Sequence, residues 1–126
     1  MASVKTNKMY IYIGKYGNGN IKIGYCTVFP ADRQYHIRKV NNDKSFNLLA
    51  YYAIDEQNKP LGLLFESIVR YGFNNLKGYK YLEDLKNNDH FENKSKAEKN
   101  IKDFIGIMDN AIHMYGIENY KLVIKG

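Results

Sequence analysis

Residues 9–24 of the chain read MYIYIGKYGNGNIKIG, and this stretch decides the fold. Residues 9–13 alternate between aliphatic residues and tyrosines, and residues 21–24 alternate between isoleucine and the residues lysine and glycine. Alternation is typical of a β-strand, because successive side chains point to opposite faces. Residues 17–20 are glycine and asparagine, which accept positive φ at low cost and favour a tight turn. The stretch therefore predicts an antiparallel β-hairpin.

Beyond the hairpin, the pattern predicts a helix and then a buried strand. Pro30 suits the first position of a helix, where its missing N–H is not needed. Asp32 lies near the positive end of the helix dipole, so we expect a helix from Pro30 to about Val40. Residues 46–54 are rich in aromatic and aliphatic side chains, which favours a buried third strand.

The second half of the chain predicts two further helices. One begins at Pro60 and ends at Tyr71, with Gly72 as its stop. Its expected core-facing residues are Leu61, Leu64, Phe65 and Ile68. Residues 73–93 show no clear period and predict a loop with one short helix. Residues 95–98 fit a capping box, and apolar residues spaced i, i+4 and i+7 extend that helix to Tyr115.

The order of these elements predicts an α+β fold. We expect a small three-stranded antiparallel sheet flanked by helices, in the order β-β-α-β-α-α, with a short edge strand over residues 120–124. A chain of 126 residues is long enough for one domain, since single cores usually run to ~100–200 residues. Residues 1–126 are therefore expected to form a single domain.

The amino-acid composition of the chain limits the classes of function that it can have. The 19 Lys and Arg residues exceed the 13 Asp and Glu residues, which gives a formal charge of +6 and favours an anionic partner such as nucleic acid. The single Cys26 excludes an internal disulfide framework and a Cys-rich zinc module. No apolar run approaches the ~18 residues of a membrane span, and no secretory signal precedes the hairpin. We expect an intracellular (cytoplasmic) protein that does not contact a membrane.

Five residues with suitable chemistry come close together if the hairpin forms. Tyr10, Tyr12 and Lys22 lie on its two strands, and Arg33 lies on the next helix. Glu66 lies on the second helix, on a narrow polar stripe. Phosphodiester hydrolysis needs a polarised water, a cation opposite the developing phosphate charge and a carboxylate that holds a divalent metal. This combination predicts phosphodiester chemistry.

The motifs Tyr10-Ile11-Tyr12 and Lys22-Ile23-Gly24, followed by Arg33 and Glu66, resemble the GIY-YIG nuclease superfamily. The closer resemblance is to the branch whose second motif reads Lys-Ile-Gly, which is similar to domains of phage, viral and bacterial proteins and to one kind of restriction endonuclease. It covers about residues 9–91 and leaves a C-terminal helix and strand over residues 95–125. Its implied fold is a small antiparallel sheet flanked by helices.

The resemblance implies a role for each of the matching residues. Tyr12 would activate or orient the attacking water, and Lys22 would replace the tyrosine of the second motif. Arg33 would contact the scissile phosphate, and Glu66 would be the sole protein ligand of Mg²⁺, with Mn²⁺ as a substitute. His36, three residues after Arg33, would assist. The spacings of ten residues from Tyr12 to Lys22 and eleven from Lys22 to Arg33 suit the family.

Two departures from the family pattern leave alternatives open. The first motif lacks its glycine, so Tyr10 competes with Tyr12 for the role of the first-motif tyrosine. A late polar residue of the family, usually asparagine, has three candidates here, namely Asn87, Asn88 and Asn93.

Each of these residues also has an ordinary structural interpretation. Tyrosines favour strands, and Glu66 with Arg70 at i, i+4 suits an exposed ion pair worth only ~0.3–0.5 kcal/mol. His36, His90 and His113 share no zinc-ligand spacing and are interpreted as structural or incidental. Cys26 has no evident base partner, which favours an inert thiol. The lysines over residues 94–102 favour a solvated helix face, although such a face can also follow a phosphate backbone.

Three functions therefore compete at this level. The first is a Mg²⁺-dependent DNA endonuclease, with weak sequence preference or recognition of DNA shape unless it forms a homodimer. The second is a catalytically degenerate module of the same fold that binds nucleic acid or a host protein. The third is an adaptor that binds only protein.

Overall fold

The computed structural model describes residues 5–82 and 90–125. In chain order the elements are β1 (Lys5–Lys15), β2 (Ile21–Val28), α1 (Pro30–Val40), β3 (Asn47–Ile54), α2 (Lys59–Asn74), β4 (Tyr79–Tyr81), β5 (His90–Asn93), α3 (Ala97–Met114) and β6 (Tyr120–Ile124). All six strands form one antiparallel sheet in the order β4-β5-β2-β1-β3-β6. The hairpin of β1 and β2 lies at the centre of this sheet.

The expected three-stranded sheet and its β-β-α-β-α-α order are wrong, although the fold is α+β. Over the described residues the sheet has six strands. Along the chain the elements follow one another as β-β-α-β-α-β-β-α-β. β4 and β5 have three and four residues, which is too short for alternation to be visible in the sequence. They lie in the segment over residues 73–93 for which a loop with one short helix was expected.

The two faces of the sheet carry separate hydrophobic clusters. One face packs Met9, Ile11 and Ile13 against residues of α2 and α3. The other face packs Tyr10 and Tyr12 with residues that include Ile37 of α1. The alternation of β1 therefore divides the core into two layers, with two helices on one face and a single helix on the other.

Helix α1 has the expected bounds, whereas α2 differs from the expected helix in two ways. It continues through Gly72 to Asn74, and a Cβ at Gly72 would lie 2.7 Å from the Ile107 side chain of α3. Gly72 thus allows α2 and α3 to approach each other rather than ending α2. The buried residues of α2 are Gly62, Phe65, Val69 and Phe73, so Leu64 is exposed and the helix is rotated from the expected orientation.

The N-terminus of α3 is held by a buried polar network instead of the expected capping box. Its N-cap residue is Lys96, which makes no side-chain cap hydrogen bond. Lys15 Nζ donates to the Ser95 carbonyl oxygen at 2.8 Å and to Asn100 Oδ1 at 2.6 Å. The fully buried Asn100 in turn donates to the Tyr79 hydroxyl at 3.0 Å. This network joins the end of β1 to α3 and β4.

None of the three helices within the described ranges combines the length and the apolar character that crossing a membrane requires.

We predict that Asn100→Ala lowers the free energy of unfolding by about 2–3 kcal/mol, because it leaves the Tyr79 hydroxyl and the Lys15 ammonium each short of one buried partner. Urea denaturation monitored by circular dichroism measures the change. Asn110→Ala is the matched control, since Asn110 is exposed on the same helix, and its expected effect is within about 0.5 kcal/mol. Equal losses in the two variants would show that the network does not stabilise the fold.

Candidate active site

The register of the hairpin places a glycine opposite two of its candidate site residues, Tyr12 and Lys22. Tyr12 of β1 pairs with Gly24 of β2, and Lys22 of β2 pairs with Gly14 of β1. A Cβ at residue 24 would overlap the Tyr12 ring, so this ring lies across the backbone of β2. Gly24 is therefore required for the position of the Tyr12 hydroxyl.

Two cations approach the Tyr12 side chain on this face of the sheet. Arg33 Nε, on the first turn of α1, donates to the Tyr12 hydroxyl oxygen at 3.4 Å. Lys22 Nζ lies 5.9 Å from the centre of the Tyr12 ring, at a distance that allows a cation–π contact. Tyr12 is fully buried and Lys22 is 3% exposed, so both lie inside the protein, while Arg33 is partly exposed.

Glu66 approaches the same cluster from α2. The buried Gly62, one turn earlier, leaves space for the Tyr25 ring, and a Cβ at residue 62 would overlap that ring. Glu66 follows Gly62 by four residues, so it lies on the same side of α2, and it is partly buried. Its negative charge acts on the pKa values of Tyr12 and Arg33, which places the carboxylate within electrostatic reach of both.

Burial determines the protonation of the two neutral acids in the cluster. It raises the pKa of Tyr12 far above its usual value, and the neighbouring charge of Arg33 only partly opposes this effect. Burial also raises the pKa of Cys26 to about 11, again opposed in part by Arg33. Both side chains are therefore protonated at neutral pH, and Tyr12 is present as a phenol that can donate its proton.

Some of the other candidate residues lie elsewhere. The Tyr10 ring packs edge-on against Tyr51 with centroids 5.8 Å apart, two residues along β1 from Tyr12. His36 is exposed on α1. Asn93 is buried, and it bonds to the Gly19 carbonyl oxygen and to the backbone of Ser95, which gives it a structural role at the hairpin turn.

Asn87 and Asn88, the other two candidates for the late polar residue, lie outside the described residues.

His90 lies on the same face of the sheet as Lys22, and no sequence motif indicated it. It begins β5, pairs directly with Lys22 and is 5% exposed. Its Nε2 lies 2.9 Å from the Tyr16 hydroxyl. No signal in the sequence indicated this position, because β5 itself was not expected.

A cleft of about 540 Å³ opens beside the cluster. It is lined by residues 25–28 of β2, by Arg33, and by Gln57 and Lys59 at the start of α2. Both formal charges in this lining are positive, which suits an anionic ligand. A larger groove of about 940 Å³ lies between α2 and α3, and the described residues that line it include none of the cluster.

The residues present are compatible with a magnesium ion held by one carboxylate. Over residues 5–82 and 90–125, no three His, Cys, Asp or Glu side chains gather in one place. Mg²⁺ is commonly bound through one or two carboxylates together with waters and substrate phosphate oxygens, so a lone Glu66 suits it better than a metal that needs a complete protein cage.

A scan against protein-family models, a search of curated proteins and a search of solved structures each found no match to this chain. The resemblance to the GIY-YIG superfamily therefore stays a prediction. The geometry of the described residues is what supports the chemistry proposed below.

We predict that Gly24→Ala displaces the Tyr12 ring and lowers the free energy of unfolding by about 1–3 kcal/mol, as expected for an overpacked core. Urea denaturation measures this loss. Gly106→Ala is the matched control, because a Cβ at Gly106 on α3 meets no atom within 4 Å. The control should be neutral or stabilising by up to about 1 kcal/mol. A neutral Gly24→Ala would contradict the position of Tyr12.

We predict that the protein loses stability between pH 9 and pH 11, because the Cys26 thiol has its pKa raised from 9.0 to about 11 by burial. An acid whose pKa is raised by folding favours the folded state fully below the unfolded pKa, and this contribution disappears as the pH rises through the folded pKa. The loss from this thiol should be roughly 2–3 kcal/mol. Urea denaturation at several pH values measures it, and Cys26→Ala should have a shallower dependence. Identical slopes would count against a buried thiol.

Proposed function

We propose that the chain is a Mg²⁺-dependent DNA endonuclease of the GIY-YIG type. The observation that carries the proposal is the contact of Arg33 with the Tyr12 hydroxyl across Gly24. Lys22 lies against the same ring, and the charge of Glu66 acts on both Tyr12 and Arg33. A phenol, two cations and a carboxylate are groups that suit in-line hydrolysis of a phosphodiester.

Tyr12 enters this reaction as a neutral phenol. Because Arg33 donates to the Tyr12 oxygen, the phenol proton is directed elsewhere and can bond to the attacking water or to a phosphate oxygen. Lys22, buried beside the ring, supplies a positive charge and orients the attacking water together with the Tyr12 phenol. The water attacks phosphorus in line with the leaving 3′ oxygen and gives up one proton to bulk solvent. The bond from phosphorus to the 3′ oxygen breaks, and that oxygen takes a proton from solvent.

Arg33 stabilises the negative charge that develops on the phosphate oxygens. Its guanidinium faces the cleft of about 540 Å³ and can contact the phosphate while Nε holds Tyr12. Glu66 would hold the magnesium ion, which supplies charge neutralisation at the leaving oxygen when it is bound. The positively charged lining of Arg33 and Lys59 favours the sugar–phosphate backbone as the feature recognised.

A small surface of this kind offers little area for reading base edges. Weak sequence preference or recognition of DNA shape is therefore part of the proposal, and a homodimer would be the route to higher specificity.

The second candidate is a catalytically degenerate module that binds nucleic acid or a host protein. The full burial of Tyr12 and the 3% exposure of Lys22 favour it, since a reacting phosphate must reach both groups. Strong DNA binding with a steep salt dependence, and no cleavage with Mg²⁺ or Mn²⁺, would identify this function.

We predict Mg²⁺-dependent nicking of a supercoiled plasmid by the wild-type chain, abolished by EDTA. Glu66→Gln and Arg33→Ala should each lower the rate by at least roughly 10²-fold, because each removes charge stabilisation that the transition state needs. Gel electrophoresis of the plasmid over time measures the rate.

Glu56→Gln is the matched control for this experiment, since Glu56 is an exposed glutamate just before α2 and its replacement should leave nicking unchanged. Wild-type activity in the Glu66 and Arg33 variants would refute the assignment of these residues. Binding of a DNA duplex at several salt concentrations, measured in EDTA, separates a loss of catalysis from a loss of binding.

A further inference from the structure

His90 is a buried histidine with no role in the reaction described above. It stands directly opposite Lys22 in the pairing of β2 with β5, and both residues are at least 95% buried. Directly opposed residues of an antiparallel pair project from the same face and contact each other's side chains. Lys22 therefore has the Tyr12 ring on the β1 side and His90 on the β5 side.

A chain of hydrogen bonds fixes the ring of His90. Asn41, just after α1, donates through Nδ2 to the Tyr16 hydroxyl oxygen at 2.9 Å. The Tyr16 hydroxyl in turn lies 2.9 Å from His90 Nε2, and the His90 tautomer sets the direction of that hydrogen bond.

Aromatic packing holds the same chain in place. The Tyr16 ring packs on Phe46 with centroids 4.9 Å apart and on His90 with centroids 5.6 Å apart. Phe46 fills the space beside Gly14, the residue of β1 that pairs with Lys22 of β2. Tyr16 and Phe46 thus pack against His90 and Gly14, which are the two residues that pair with Lys22 on the neighbouring strands.

We propose that His90, held by Tyr16 and Asn41, is a positioning residue that keeps Lys22 against Tyr12 in the nuclease site. This role rests on the function proposed above, because it assigns a purpose to Lys22.

The kinetic test compares three variants in the plasmid-nicking assay. His90→Leu removes the hydrogen-bond partner of Tyr16 and should lower kcat roughly 10- to 100-fold with KM within about twofold, as for other losses of positioning. Tyr16→Phe should act in the same direction. His90→Gln keeps an amide that can bond to Tyr16 as donor or acceptor and should retain activity within about threefold of wild type.

A double-mutant cycle separates positioning from simple structural support. In a Lys22→Gln background, His90→Leu and Tyr16→Phe should lower the remaining rate by less than about twofold, since there is no lysine left to position. Full, additive losses in that background would overturn the proposal. Tyr35→Phe, an exposed tyrosine of α1, is the control with unchanged kinetics.

A second measurement does not depend on cleavage, so it distinguishes a failure of this proposal from a failure of the proposed function. Nuclear magnetic resonance reports the surroundings of Lys22 directly. The ε-methylene signal of Lys22, assigned with Lys22→Arg and shifted by the Tyr12 ring, should move in His90→Leu and Tyr16→Phe but not in Tyr35→Phe. An unmoved Lys22 signal in folded variants would overturn the positioning role even if the wild type cleaves DNA.

Discussion

The register of the central hairpin is the constraint on which the rest of the structure depends. Tyr12 faces Gly24 and Lys22 faces Gly14, so each large polar side chain has a residue without a side chain opposite it. The Tyr12 ring occupies the space at Gly24, and Phe46 occupies the space at Gly14. A shift of one residue would turn every side chain of a strand to the other face, so the two glycines tie the packing of the core to the geometry of the site.

Strand β2 connects the two layers of the protein. On the face of α1 it carries Lys22 and Cys26, and on the opposite face its Tyr25 ring packs into the space at Gly62 of α2. The charge of Glu66, on that helix, nevertheless acts on Tyr12 and Arg33. The candidate site is therefore built from both sides of one strand. Burial keeps its phenol and its thiol protonated at neutral pH.

The sequence alone was sufficient to predict the strands and helices that have a clear pattern or a characteristic first residue. The alternation of residues 9–13, the Gly-Asn turn and the proline at the start of α1 predicted the hairpin and first helix correctly. It was insufficient for β4 and β5, because strands of three or four residues are specified by their partners and not by their own pattern. The place of His90 beside Lys22 depends on that pairing and was missed for the same reason.

Helix α2 shows a different limit of sequence analysis. The spacing of apolar residues predicted that Leu64 is buried, whereas the structure buries Gly62. Gly62 is buried because the Tyr25 ring packs where a side chain at residue 62 would lie. The spacing of apolar residues along one helix does not show that two residues distant in the chain have complementary shapes. The rotation that follows is what brings Glu66 toward the sheet.

The partly buried contact of Lys15 with Ser95 and Asn100 has a consequence for how the chain acquires its structure. These bonds join residues 80 and 85 positions apart, and β3, the other neighbour of β1, also takes β6 as its partner. β1 precedes α3 in the chain, so Lys15 finds Ser95 and Asn100 only after those residues have been synthesised. Such dependence on distant contacts favours slow consolidation of the sheet, which β6 completes by pairing with β3 after α3 has been made.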